Sequence, residues 1–215
     1  MAHQDVYPPW KIVRRLGAGS LTEAFLVEGP SGAAVLKRLL PFFLSNEALC
    51  TAFVLKAEES KALSHPNIVK VLQTGAHGRD RYAVMENVEG RALSRAAARM
   101  TEKGWAALPH DCVSAVGVAA AEAMHFAHGQ GVLHLDVTLH NLYLGPDGAL
   151  KLADFGLAHT RRSTTTEQGS RELLPPELRL EDPASASPAA DVWALGLCLY
   201  RLAGGVVPVN AEQNA

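Results

Sequence analysis

Short apolar runs open the chain. Trp10 to Gly17, Thr22 to Glu28 and Ala33 to Leu39 read as short strands separated by the Gly-rich turns GAGS and GPSG. Apolar runs of this length bounded by glycine predict an antiparallel meander. From Asn46 to Ser64 the spacing lengthens: Leu49, Phe53, Ala57 and Ala62 fall near one face of a predicted helix, with Ser45 or Asn46 to cap it and His65-Pro66-Asn67 to end it. Ile68 to Gly75 and Arg81 to Glu86 return to strand character. The polar stretch Glu86–Gly90 then leads into an Ala-rich helical pattern as far as Gln130, a shift that marks a boundary between two lobes. Gly131 to Val137 and Leu142 to Asp154 read as strands again, the second folded by the turn Gly145–Gly148. After a Ser/Thr-rich loop the last helical run is Asp191 to Ala203, with about a dozen residues beyond it.

Composition narrows the class. With 48% hydrophobic and 20% charged residues the chain is globular, and 20 Lys plus Arg against 22 Asp plus Glu provide no overall basic field for nucleic acid or an anionic membrane. Cys50, Cys112 and Cys198 are odd in number, lie in apolar stretches and lack CxxC spacing, so they read as buried thiols in a reducing compartment. The N-terminus lacks the apolar core of a signal peptide, and the apolar run Val192 to Tyr200 stops at Arg201, too short to span a bilayer. The expectation is an unanchored cytoplasmic protein.

Chemistry is concentrated in four places. Leu16 to Thr22 encloses Gly17, Ala18 and Gly19 between two strands, where small residues let backbone N–H groups approach phosphate oxygens. Lys37 closes the apolar strand Ala34-Val35-Leu36. His134-Leu135-Asp136-Val137-Thr138-Leu139-His140-Asn141 precedes Asp154-Phe155-Gly156. Gly169 to Glu177 ends in Pro-Pro-Glu. Singly, each has a plainer explanation: a hairpin turn, a snorkelling surface lysine, loop caps at Asp136 and Asn141, a turn at Asp154.

In this order and spacing the motifs resemble those of protein kinases, and GAGS, SHPNIV, HLDV and LPPEL have the flavour of the bacterial serine/threonine kinases. The resemblance implies an α+β, two-lobed fold: an antiparallel β N-lobe with helix C, and a mostly α-helical C-lobe lacking its last helices. It places the domain at 10–208 (N-lobe 10–85, hinge 86–90, C-lobe 91–208) and a tail at 209–215. It further implies Mg-ATP as cofactor. Asp136 would accept the substrate hydroxyl proton, and Asn141 and Asp154 would hold magnesium. Lys37 with Gly17, Ala18 and Gly19 would meet the phosphates, and the backbone of Glu86 and Val88, beside Met85, would meet the adenine edge. Asp191 resembles the helix aspartate that accepts backbone N–H bonds from the catalytic loop. Ser170 resembles the small hydroxyl residue of serine/threonine kinases.

The pattern departs from the family at identifiable points. Counting back nine residues from His65 in SHPN reaches Lys56 where helix C normally offers a glutamate, with Glu58 and Glu59 displaced beside it. Two like charges near 4 Å cost about 4 kcal/mol at an effective dielectric of 20, so Lys37 and Lys56 would repel, with Glu59 as the nearest substitute partner. Leu135 replaces the arginine that reads a phosphorylated activation loop, leaving phosphorylation among Ser163, Thr164, Thr165 or Thr166 without its usual partner. Thr138 replaces a lysine that faces the transferring phosphoryl. The few residues after Ala203 would leave Glu177 without a downstream arginine and a helix face without cover, a need that a homo-oligomer, a bound regulator or an unusually compact lobe would each meet.

Three functions follow from these residues. One is an active kinase phosphorylating Ser or Thr of a protein substrate. Another is a nucleotide-binding pseudokinase acting as scaffold or allosteric partner, favoured by Lys56, Leu135, Thr138 and the expected lack of the last helices. The last, a small-molecule phosphotransferase, shares the HxDxxxxN pattern but is not expected to carry Asp-Phe-Gly followed by Pro-Pro-Glu.

Overall fold

The apolar runs of the first strands fold into a sheet. The computed structural model describes residues 6–104, 106–155, 175–179 and 186–205, which fall into two compact units: 6–64 with 69–87, and 65–68 with the described residues from 88 onward. In the first, β1 (Val6–Tyr7), β2 (Trp10–Ala18), β3 (Thr22–Gly29), β4 (Gly32–Leu39), β5 (Val71–His77) and β6 (Asp80–Glu86) form one antiparallel sheet in the order β1-β2-β3-β4-β6-β5. Tyr7, Trp10, Phe25, Val27, Ala34, Leu36, Tyr82 and Val84 cluster in its core. Each large side chain so buried contributes roughly 1.5–3 kcal/mol of transfer free energy. Arg38 extends from the same side of β4 as Ala34 and Leu36. Its guanidinium lies 4.8 Å from the Phe25 ring, donates to Glu23 Oε1 at 2.8 Å and to Asp80 Oδ2 at 3.2 Å, and shares Asp80 with the Tyr7 hydroxyl. That network ties β1 into the sheet.

The predicted helix is α1 (Glu47–Lys61), which packs on β5 and β6. Asn46 caps it, Oδ1 accepting the Leu49 N–H at 3.0 Å. Leu49, Phe53 and Ala57 face inward as expected, joined by Cys50 and Ser60, but Ala62 is exposed. At about 100° per residue, Ala62 lies about 140° around the helix from Ala57, whereas Ser60 returns to the buried side and donates its hydroxyl to the Lys56 carbonyl at 2.9 Å.

In the second unit, β7 (Arg91–Ala92), β8 (Leu142–Leu144) and β9 (Leu150–Leu152) make a small antiparallel sheet. Around it stand α2 (Leu93–Glu102), α3 (His110–Gly129), α4 (Pro176–Arg179) and α5 (Pro188–Leu202), with α3 packed on both α5 and β9. The close approach at the entrance to β7 requires Gly90: a Cβ there would lie 2.5 Å from the Leu144 carbonyl oxygen. Residues 65–68 belong to this unit. Asn67 donates its Nδ2 to Leu150 O and accepts the Leu152 N–H, both at 2.8 Å, and Ile68 bridges Leu152. Ile68 therefore stands outside β5, where the apolar pattern had placed it.

Two further expectations are corrected. Residues 131–137 form no strand, because the amides of His134 and Leu135 are taken by a side chain and Leu135 adopts φ +62°, incompatible with extended pairing. Cys50 and Cys198 are buried but Cys112, in the first turn of α3, is exposed. Gly156, Ser163 to Thr166, Gly169 to Leu174 with Ser170, and the tail lie outside the described residues. Among the described residues no helix is long and apolar enough to cross a membrane.

Candidate active site

The loop between α3 and β8 is held from beneath by one carboxylate. Asp191, in the first turn of α5 and fully buried, accepts the N–H of His134 on Oδ2 at 2.8 Å and that of Leu135 on Oδ1 at 2.6 Å. His128, at the end of α3, bonds the same Oδ2 through Nε2 at 2.7 Å. Leu135 is thereby fixed in the left-handed region, which costs a non-glycine residue about 1–3 kcal/mol and persists only where the surroundings impose it. Its side chain lies in an apolar cluster with Ala190, Leu133, Leu178 and Ala186. The position that would carry a phosphate-reading arginine is hydrophobic in surroundings as well as in identity.

His134 is fully buried and connects this loop to the strand that follows. Its Nδ1 accepts the Asp136 N–H at 3.2 Å, so the ring proton sits on Nε2, which donates to the Ala153 carbonyl at 2.8 Å. The Phe155 ring lies 4.6 Å from it, tilted by 60°. Asn141 completes the loop: Nδ2 donates to Asp136 O at 2.9 Å and to Asp136 Oδ2 at 3.2 Å, while its own carbonyl accepts the Ala153 N–H at 2.9 Å. The structure thus joins Asp136 and Asn141 directly, and Asp154 follows Ala153 with φ +69°.

With Nδ2 committed to Asp136, the remaining acceptor of Asn141 is Oδ1. An amide oxygen and the Asp154 carboxylate are hard donors of the kind magnesium takes, and that ion ordinarily draws its other ligands from phosphate and water. The donor set fits the ion. Among the described residues no group of three His, Cys, Asp or Glu side chains offers a competing metal site.

Of the other predicted residues, Gly17, Ala18, Lys37 and Glu86 lie on the first unit's sheet and Gly19 in its β2–β3 turn, whereas Val88 belongs to the second unit. Lys37, half-buried on β4, stands opposite Ala24 on β3 and Ala83 on β6, and Ala24 in turn faces Gly17 on β2. Residues directly opposite in an antiparallel sheet share a face, so the lysine occupies a row of Gly17, Ala24 and Ala83 that ends at Thr74 on β5. A Cβ at Gly17 would meet nothing within 4 Å, and one at Gly19 only the Thr22 carbonyl at 3.8 Å. Packing does not demand these glycines. The turn itself is closed by Gly19 N–H to Thr22 O at 2.8 Å, with Ala18 paired to Glu23. Glu59, the substitute partner that the sequence offered for Lys37, is bonded by Lys56 Nζ at 2.7 Å, and Glu58 is bonded by the Thr74 hydroxyl. Glu86 N–H donates to Lys70 O, and Val88 O accepts the Gly90 N–H.

His128 was not singled out in the sequence. The signal for it was faint, a histidine six residues before His134, closing the α3 pattern.

The protein kinase domain family matches residues 10–215. The chain is 34% identical over 183 residues to a probable serine/threonine-protein kinase of Clostridium perfringens, covering 83% of this chain and 26% of that protein. It is 31% identical over 227 residues to the tyrosine-protein kinase MasK of Myxococcus xanthus, covering 97% and 34% respectively. The kinase domain of Mycobacterium tuberculosis PknI superposes with a TM-score of 0.77 at 28% identity, over 99% of this chain and 81% of that one. The chain spans roughly a quarter to a third of the length of these two curated relatives.

Proposed function

The chain belongs to the protein kinase domain family, and from that premise we propose that it transfers the γ-phosphoryl group of Mg-ATP to serine or threonine of a protein substrate. The observation that carries this reading is the Asp136–Asn141 pair: one amide group, at 2.9 and 3.2 Å, fixes both the backbone and the carboxylate of the residue placed to receive the hydroxyl proton. Magnesium, when bound with ATP, would neutralise charge on the phosphates, with Asn141 Oδ1 and Asp154 as its protein ligands. Asp136 orients the attacking hydroxyl and takes its proton. Lys37 meets the phosphates from the sheet together with the turn of Gly17, Ala18 and Gly19, where a Cβ at Gly17 would meet nothing within 4 Å and the Gly19 N–H already closes the turn on Thr22 O. The backbone of Glu86 and Val88 reads the adenine edge.

Serine/threonine preference is supported by the name of the Clostridium relative, while the MasK relative is named a tyrosine kinase. The decisive measurement is transfer of labelled γ-phosphate to a generic protein substrate, with phosphoamino-acid analysis of the product and Asp136→Asn as control. Label on serine or threonine that falls at least a hundredfold in the variant supports the proposal. Label on tyrosine alone would reassign the acceptor.

One observation favours a second reading. The Lys56–Glu59 bond of 2.7 Å occupies the helix position from which the strand lysine is normally paired, as a pseudokinase that binds nucleotide without turnover would tolerate. Magnesium-dependent ATP binding, lost in Asp154→Ala, with no transfer to any protein, is the outcome that this reading requires.

A further inference from the structure

The helix α2 is two-sided. Leu93 and Met100 are buried, whereas Arg95 and Arg99, one turn apart, are exposed, as is Arg91 on β7 four residues earlier. Among the described residues none of these three guanidinium groups has a side-chain partner; Glu102, three residues past Arg99, bonds none of them. In a chain of net charge −2 this is a local concentration of unneutralised charge rather than part of a general basic surface.

Its position gives it a use. The Ser94 N–H donates to the Leu139 carbonyl at 2.8 Å, and Arg91 pairs with Leu144 on β8. Leu139 lies three residues beyond Asp136 in the loop that Asp191 and Asn141 hold, so the start of the arginine row is tied by backbone to the loop carrying the proton acceptor.

We propose that Arg91, Arg95 and Arg99 dock an acidic stretch of the protein substrate flanking the phosphorylated residue. This rests on the transferase reading above and adds the substrate's chemistry to it. Nucleic acid and anionic lipid would also complement the charge. A peptide is favoured because the row is short, carries no aromatic residue between Arg91 and Lys103 on which a base would stack, and is joined to the catalytic loop.

The test uses two peptides, a single serine flanked on each side by three glutamates and its glutamine counterpart. The chain, R95Q/R99Q and R95K/R99K are compared for transfer and, separately, for binding by fluorescence anisotropy. Exposed ion pairs are individually weak, so the glutamate peptide is expected to be preferred roughly five- to tenfold in kcat/KM and in Kd. The preference should shrink at 0.5 M salt, approach one in R95Q/R99Q and survive in R95K/R99K. Equal affinity for the two peptides, or a preference untouched by R95Q/R99Q, overturns the proposal. So does an R95Q/R99Q effect confined to phosphatidylserine vesicles or single-stranded DNA. If neither peptide is phosphorylated but the binding preference and its loss in R95Q/R99Q are observed, the docking surface stands and the transferase reading fails.

Discussion

Asp191 shows how much one buried side chain can carry. It serves the amides of His134 and Leu135 and the imidazole of His128, and it holds Leu135 at φ +62°. Replacing it with alanine leaves the two buried amides of His134 and Leu135 without acceptors, each a penalty of about 1–3 kcal/mol. Asp191→Ala is expected to lower unfolding free energy by about 3–4 kcal/mol in urea titration, with Asp191→Asn intermediate because one acceptor survives. A loss below 1 kcal/mol would show that water replaces the carboxylate and that the loop does not depend on it. Leu135 is the complementary case: its cluster with Leu133, Leu178, Ala186 and Ala190 attaches the Pro-Pro-Glu-Leu segment by apolar contact, where an arginine would respond to phosphate.

At the scale of the element, α1 is well determined as a helix and unusual in its charges. Asn46 caps it, Leu49, Phe53 and Ala57 bury one stripe, and Lys56 and Glu59 pair at i and i+3. A surface pair of this kind is worth about 0.2–0.5 kcal/mol to the helix, too little to hold Glu59 against a strong competitor. Lys56→Glu removes that pair and puts a carboxylate where the family expects one. The variant is expected to bind Mg-ATP about fivefold more tightly in a titration followed by calorimetry, with helix content unchanged in circular dichroism. Unchanged or weaker binding would mean that Lys37 is positioned independently of this helix.

For the whole molecule, two buried acids set the alkaline limit. Burial pushes the Cys198 thiol up to about 12, and burial together with Asp80 raises the Tyr7 hydroxyl above its ordinary range. Because the folded state holds these protons after the unfolded chain has released them, folding stability is present in full below about pH 9 and falls as pH rises toward 12. Each such group contributes a slope of at most about 1.4 kcal/mol per pH unit. Denaturation midpoints measured from pH 8 to 11 should fall progressively, and Cys198→Ala should remove the slope between about pH 9 and 10, below the tyrosine range. A profile identical in the variant would show that the thiol ionises freely in the folded protein.

The sequence alone determined the repeating local decisions. Short apolar runs between Gly-rich turns in Trp10 to Leu39 placed β2, β3 and β4, the Asn46 cap and the Leu49–Phe53–Ala57 spacing placed α1, and the ordered motifs from Lys37 to Asp154 identified the family, because each depends on neighbours a few residues away or on fixed spacing. Boundaries that rest on distant partners were misplaced. Residues 131–137 have strand-like composition, yet Asp191, more than fifty residues on, claims their amides. Ile68 looks continuous with β5, yet Leu152 draws it to the other unit. Tertiary structure alone decided that Tyr7, Arg38 and Asp80 form one network and that, among the described residues, Arg91, Arg95 and Arg99 meet no carboxylate. Such contacts join residues far apart in the chain, where periodicity records which face a side chain takes but not what it meets.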